Sequence, residues 1–144
     1  MNVRTLILGA MVAAFATIVN PDAASAAEPA TPDQGVTQAF RQAIANVPGK
    51  TLTGVIVNYA PGVKSPPHRH GHAFVVAYVL SGAIRSKVNN GEERIFHAGE
   101  SWTEMPGDHH VVSANASDTE PAKLLAIFVA DTADNDLVIW DKQK

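Results

Sequence analysis

The stretch Pro66-Pro67-His68-Arg69-His70-Gly71-His72, placed directly before the apolar run at residues 73–80, carries three histidines at every second position. In an extended backbone, side chains alternate between two faces, so these three imidazoles would point to the same side. Neutral imidazole is a good ligand for divalent iron, manganese, zinc, nickel or copper. The stretch therefore predicts a metal site on a strand, completed by a ligand from elsewhere in the chain.

Segments downstream of residue 50 have the composition of short strands. They are rich in β-branched and apolar residues and are bounded by Gly, Pro, Asn or Asp. Asn89-Asn90-Gly91 is the clearest hairpin turn, because Asn and Gly accept the positive φ that tight turns require. The predicted strands are residues 51–59, 73–80, 84–88, 93–97, 101–105, 111–114, 122–130 and 137–140. Seven or eight strands at about ten-residue spacing predict an all-β sandwich or barrel.

The first 50 residues are organised differently. Residues 1–26 have a basic start, an apolar middle and an alanine-rich end, the order that is typical of a cleaved secretory signal peptide. A proline-containing linker follows, and Val36, Phe40, Ile44 and Val47 then recur at helical spacing before Pro48-Gly49. We expect an amphipathic helix over residues 33–47. The predicted organisation is a signal peptide (1–26), a linker and N-terminal helix (27–50) and a β-barrel domain (51–144).

Composition limits the partners and the compartment. The chain has 144 residues, no cysteine and a formal net charge of −3. It contains no basic block, so nucleic acid is not expected as a partner. Signal cleavage would give a periplasmic or secreted protein with no membrane anchor and no need for disulfides. The open edges of such a barrel make a homodimer plausible, although no residue pattern defines an interface.

The third ligand of the metal site must come from His97, His109 or His110, since the chain contains six histidines. Here two segments resemble a known family. Gly62, His68 and His70, closing at Gly82, resemble the first motif of the cupins. The segment from Gly99 through Pro106-Gly107-Asp108-His109-His110 to Asn115 resembles the second. The chain is most similar to small single-domain bacterial cupins related to quercetin dioxygenases.

This resemblance implies a double-stranded β-helix, or jelly-roll barrel, with a metal at His68, His70 and His110. Strand alternation agrees, because only one of the neighbours His109 and His110 can point inward. The family usually has a glutamate separated from the second histidine by three or four residues, where this chain has Phe74 and Val75. His72 is then a conditional fourth ligand. Without the glutamate, a divalent site would carry a higher positive charge and would favour an anionic substrate or hydroxide.

The remaining side chains near the predicted site are assigned more weakly. Glu104 lies two residues before Pro106-Gly107 and is the one carboxylate considered as a general base, although a solvated strand position is the preferred interpretation. Arg69 lies between two predicted ligands and should face the opposite side. Tyr78, Trp102 and Phe128 are expected in the core rather than in a pocket.

Three functions remain open, one of them a dimeric structural or interaction module without a ligand. The first is a metal-dependent enzyme acting on a small organic molecule, with a dioxygenase favoured by the resemblance and an isomerase or lyase next. The metal would act as a Lewis acid or as the oxygen-binding centre. The second is a non-catalytic exported protein that binds a metal or a small ligand. An enzyme needs an open coordination position on the metal, whereas a structural or storage site is closed.

Overall fold

A computed structural model describes residues 35–142, which form eleven strands numbered here in chain order. All strand pairs are antiparallel and belong to two sheets. The first sheet has the order β1 (Val36–Ala43), β2 (Lys50–Tyr59), β10 (Ala122–Asp131), β5 (Phe74–Ser81) and β8 (Ser101–Glu104). The second has the order β11 (Ile139–Trp140), β4 (His68–Arg69), β9 (His109–Asn115), β6 (Ala83–Val88) and β7 (Arg94–His97), with β3 (Lys64–Ser65) also paired to β9. The predicted all-β jelly roll is confirmed.

The helix predicted over residues 33–47 is wrong where the structure describes it. Residues 36–43 form strand β1, which pairs with β2 along its length. The apolar residues Val36, Phe40 and Ile44 are four apart, a spacing that suits one face of a helix and, being even, also one face of a strand. The unpaired edge of β2 offers backbone partners to this segment, and a bulge between Gln38 and Phe40 lets the Phe40 ring lie over Gly54. The barrel therefore includes residues that precede its predicted start.

The predicted signal peptide at residues 1–26 and the linker that follows it lie outside the described residues. In residues 35–142, no helix has the length and apolar character that are needed to cross a membrane. Strand β1 forms one edge of the first sheet, and all eight of its residues are exposed.

The interior is formed by the alternate residues of the strands that face inward. In β5, for example, Val75, Ala77 and Val79 are buried while Tyr78 between them is 40% exposed. One buried cluster joins both sheets and consists of Tyr59, Ala77, Val79, Ile84, Phe96, Ala122 and Leu124. A second cluster comes from the first sheet and its flanks and consists of Ala73, Val75, Ala126, Phe128 and Ala130. Members of both clusters line the cavity described below.

Two residues at the ends of the resembling motifs have structural roles. Gly82 has a φ of 68°, and a Cβ there would lie 2.6 Å from the carbonyl oxygen of Pro121, so a side chain is excluded. The buried Asn115 amide nitrogen donates to the carbonyl oxygens of Tyr59, Ala60 and Glu120. Asn115 thus anchors the end of β9, the strand that begins with His109 and His110.

Candidate metal centre

Three buried histidines converge from strand β4, the residues just after it and strand β9. His68 lies directly opposite His110 in the β4–β9 pair, and His70 follows two residues later on the same side as His68. One potential ligand atom from each of the three lies within 4.8 Å of the others. The structure therefore brings together the three residues that the cupin resemblance selects, and it orients His110 inward as predicted from strand alternation.

Hydrogen bonds fix the orientation of the imidazoles. His68 Nδ1 lies 2.8 Å from the carbonyl oxygen of Pro66, and His70 Nδ1 lies 2.8 Å from that of Leu137. A carbonyl oxygen only accepts, so each Nδ1 carries the hydrogen, and in the neutral ring Nε2 keeps a free lone pair. The His110 Nε2 atom lies 2.9 Å from the Ser86 hydroxyl. These contacts fix the three rings, and for His68 and His70 they leave Nε2 free to bind a metal.

The other three histidines lie apart from this cluster. His72 is exposed and lines a surface groove with residues 133–136. The alternation that would have aligned it with His70 is interrupted, because Gly71 has a φ of 56° and the Ala73 amide donates to the His70 carbonyl in a turn. His109 contacts Asp141 at 2.8 Å on the outer side, and His97 is exposed beside Glu100. His72 therefore does not complete the cluster.

A carboxylate contacts two of the three clustered histidines instead. Glu104, at the end of β8, is only 2% exposed, so the expected solvated position is wrong. Its Oε1 lies 3.2 Å from His110 Nδ1 and accepts a hydrogen bond from Trp102 Nε1 at 3.1 Å. Its Oε2 lies 3.4 Å from His70 Nε2 and has no hydrogen-bond partner. An unpaired buried carboxylate oxygen is costly, and a bound cation would compensate it.

Burial determines the charges of the cluster. Loss of hydration lowers the pKa of His68 and His70, and it lowers the pKa of His110 to about 3. The same loss of hydration raises the pKa of Glu104. At neutral pH the three imidazoles are therefore uncharged, so the contacts of His70 and His110 with Glu104 are not ion pairs in the absence of a metal. Neutral imidazole is the form that binds a metal ion.

The cluster opens onto a cavity of about 300 Å³. Its walls are mainly apolar and include Val55, Val57, Ala126 and Phe128, with Trp102 beside the carboxylate. Within the described residues, no lysine or arginine lines this space. A small, mostly apolar cavity with a few converging polar groups is the usual form of a small-molecule site.

The aromatic and basic side chains divide between this cavity and the surface. Phe128 and Trp102, predicted as core residues, also line the cavity, whereas Tyr78 is on the outside. Arg69 is exposed, as its position between two predicted ligands indicates, and donates to the Gly107 carbonyl. Sequence reasoning missed Ser86 and the Leu137 carbonyl. Ser86 shares the inward face of its strand with Ile84, which is a weak sequence signal for a place near the site. A backbone carbonyl gives no sequence signal.

Comparisons with known proteins agree with this architecture. The family model described as "Cupin domain" matches residues 55–128. A cupin-domain-containing oxidoreductase, fogC of Aspergillus ruber, is 27% identical over 74 residues, which are 51% of this chain and 36% of that protein. The chain thus matches little more than a third of that relative.

Solved structures share the fold at low sequence identity. An uncharacterised double-stranded β-helix protein from Klebsiella pneumoniae is 23% identical, with a TM-score of 0.52 over 63% of this chain and 71% of that one. The DMSP lyase DddQ of Ruegeria pomeroyi is 18% identical, with a TM-score of 0.53 over 62% of this chain and 42% of that one. An oxalate oxidase is 22% identical, with a TM-score of 0.54 over 77% of this chain and 57% of that one.

Proposed function

The chain belongs to the cupin domain family, and from this premise we propose that it is a metal-dependent enzyme, dioxygenase-like in its chemistry, that acts on a small and largely apolar organic molecule. The observation that carries the proposal is the placement of three buried, neutral histidines at the wall of an apolar cavity. The relative from Aspergillus ruber is described as an oxidoreductase, which supports redox chemistry.

Different residues of the site would bind the metal, orient the ligands and bind the substrate. His68, His70 and His110 would hold the metal, and the Pro66 and Leu137 carbonyls and the Ser86 hydroxyl would keep the rings in place. A divalent metal bound there would supply Lewis-acid activation or a redox centre for dioxygen. The apolar walls would bind the substrate and exclude water, which strengthens the interactions of charges in the site. The identity of the metal is left to measurement.

Metal analysis of protein purified without chelators tests the metal site. We expect about one transition metal ion per chain, and loss of that metal in His110→Ala. The matched control is His109→Ala, which removes the neighbouring imidazole on the opposite face of β9. Wild-type protein without metal, or equal metal contents in the two variants, would contradict the proposed site.

Measurement of oxygen uptake distinguishes a dioxygenase from an isomerase or lyase and from a non-catalytic binding protein. The metal-loaded protein is offered a panel of small apolar compounds, and substrate loss and oxygen consumption are followed together. A dioxygenase consumes the compound and oxygen together, whereas an isomerase or lyase converts the compound without oxygen uptake. Stoichiometric metal without turnover of any compound would favour a non-catalytic binding protein.

Location and assembly complete the proposal. We propose export to the periplasm or the exterior, from the signal-like residues 1–26. Homodimer formation also stays a prediction, and the fully exposed edge strand β1 is compatible with it.

A further inference from the structure

The carboxylate that is absent from the first cupin-like motif has a counterpart on the neighbouring strand. The resemblance places a glutamate at position 74 or 75, and this chain has Phe74 and Val75. In the β5–β8 pair, the residue directly opposite Val75 is Glu104. Both side chains line the cavity. Directly opposed residues in an antiparallel pair have Cβ atoms about 5 Å apart, so a carboxylate on either strand can reach the same point.

The distances around Glu104 are those between two ligands of one metal ion. Donor atoms about 2.1 Å from a metal, at angles of about 90° to 109°, lie about 3.0 to 3.4 Å from each other. Glu104 Oε1 lies 3.2 Å from His110 Nδ1, and Oε2 lies 3.4 Å from His70 Nε2. The carboxylate thus approaches two of the three histidines at the spacing of shared coordination.

The contact with His70 also requires a positive charge between its atoms. The His70 Nδ1 hydrogen is given to the Leu137 carbonyl, so Nε2 presents a lone pair to a carboxylate oxygen that has no other partner. Two acceptors that face each other repel unless a cation or a proton lies between them. A metal ion there would be shared by Oε2 and His70 Nε2, and it would lie beside His110, whose Nδ1 is 3.2 Å from Oε1.

We propose that Glu104 is the fourth protein ligand of the metal centre, a carboxylate transferred across the β5–β8 ladder from the position that Val75 occupies. The inference rests on the proposed metal site and adds its ligand set. It assigns Glu104 to coordination rather than to general-base catalysis, and it replaces the conditional assignment of His72.

The first test compares Co²⁺ binding by the wild-type protein and by Glu104→Gln, which keeps the shape and an acceptor for Trp102. Loss of groups that only orient ligands costs about 10- to 100-fold in metal affinity, so loss of a ligand should cost about 100-fold or more. The visible absorption spectrum of bound Co²⁺ should also change. The control is Glu100→Gln, an exposed glutamate outside the cluster, which should leave both measurements unchanged.

The second test moves the carboxylate back across the ladder. Glu104→Val should bind Co²⁺ as weakly as Glu104→Gln, and the double variant Val75→Glu with Glu104→Val should recover affinity to within about tenfold of the wild type. A folded double variant that recovers nothing would overturn the transfer across the ladder. If the double variant fails to fold, Glu104→Gln alone decides the ligand role.

The outcomes separate this inference from the proposed function. Wild-type protein that takes up no Co²⁺, or whose uptake survives His110→Ala, contradicts the metal site itself. Wild-type protein that binds Co²⁺ through His110, together with Glu104→Gln of equal affinity and spectrum, contradicts only the role of Glu104. Loss of turnover in that variant with unchanged Co²⁺ binding would assign Glu104 to proton transfer.

Discussion

Ending the chain after Asp136 should weaken metal binding, because it removes the carbonyl that orients one predicted ligand. The Leu137 carbonyl accepts the His70 Nδ1 hydrogen at 2.8 Å, and no side-chain substitution can remove it. The truncation also removes Trp140, whose ring centroid lies 5.1 Å from that of His68. Loss of a partner that orients a metal-binding histidine typically costs 10- to 100-fold in affinity, or about 1.4 to 2.7 kcal/mol. We expect the metal Kd to rise within this range.

The assay is competition for Zn²⁺ against a chromophoric chelator, with circular dichroism to confirm that the truncated protein is folded. A chain that ends after Asp141 is the matched control, since it keeps the Leu137 carbonyl, the paired strand β11 and the contact between Asp141 and His109. Its affinity should equal that of the full chain. If the folded shorter chain binds Zn²⁺ as tightly as this control, the segment after Asp136 does not orient the ligands.

Two further predictions concern stability. Because burial lowers the pKa of His110 to about 3, the unfolded metal-free chain binds a proton at this residue below about pH 6.5 that the folded chain does not bind. Acidification from pH 7 to 5 should therefore lower the free energy of unfolding of the metal-free protein, by at most about 1.4 kcal/mol per pH unit for this group, and the melting temperature with it. His110→Asn should reduce the slope of melting temperature against pH, and equal slopes would contradict the assignment. Asn115→Ala should destabilise the protein by about 3 kcal/mol and lower the melting temperature by about 10 °C, because three carbonyl oxygens lose their donor. The exposed Asn135→Ala should have an effect within about 0.5 kcal/mol, and similar melting temperatures for the two variants would refute the anchoring role.

The sequence predicts those features that depend on local pattern, and it fails where pairing between strands decides. The longer strands that follow residue 50 were predictable because their apolar runs end at turn residues, whereas the two-residue strands β3 and β4 have no such run and were missed by this pattern. The inward orientation of His110 was predictable because neighbours on a strand face opposite sides. Strand β1 was not predictable, since the four-residue spacing of Val36 and Phe40 suits a helix and a strand equally. Only pairing with the open edge of β2 makes this segment a strand.

The position of Glu104 could not be predicted for a related reason. Its proximity to the histidines depends on the register between β5 and β8, which places it opposite Val75. A shift of one residue would turn the carboxylate to the other face of the sheet. His72 was placed incorrectly because period-2 alternation applies only to extended backbone, and Gly71 turns the chain. Alternation does put Glu104 on the same face as Trp102, but it does not indicate what that face meets.

The position of Glu104 also changes what the cavity is suited to bind. Without a carboxylate, three neutral imidazoles leave a divalent ion with its full charge of about +2, which was the basis for expecting an anionic substrate. If Glu104 coordinates as proposed, its ionised carboxylate would reduce the net charge to about +1, as a glutamate on β5 would. The apolar walls add no basic side chain among the described residues, so only the reduced charge of the metal centre would compensate an anion for its lost hydration. A metal centre of reduced charge beside an apolar cavity of about 300 Å³ would therefore favour a small neutral molecule more than a three-histidine centre would.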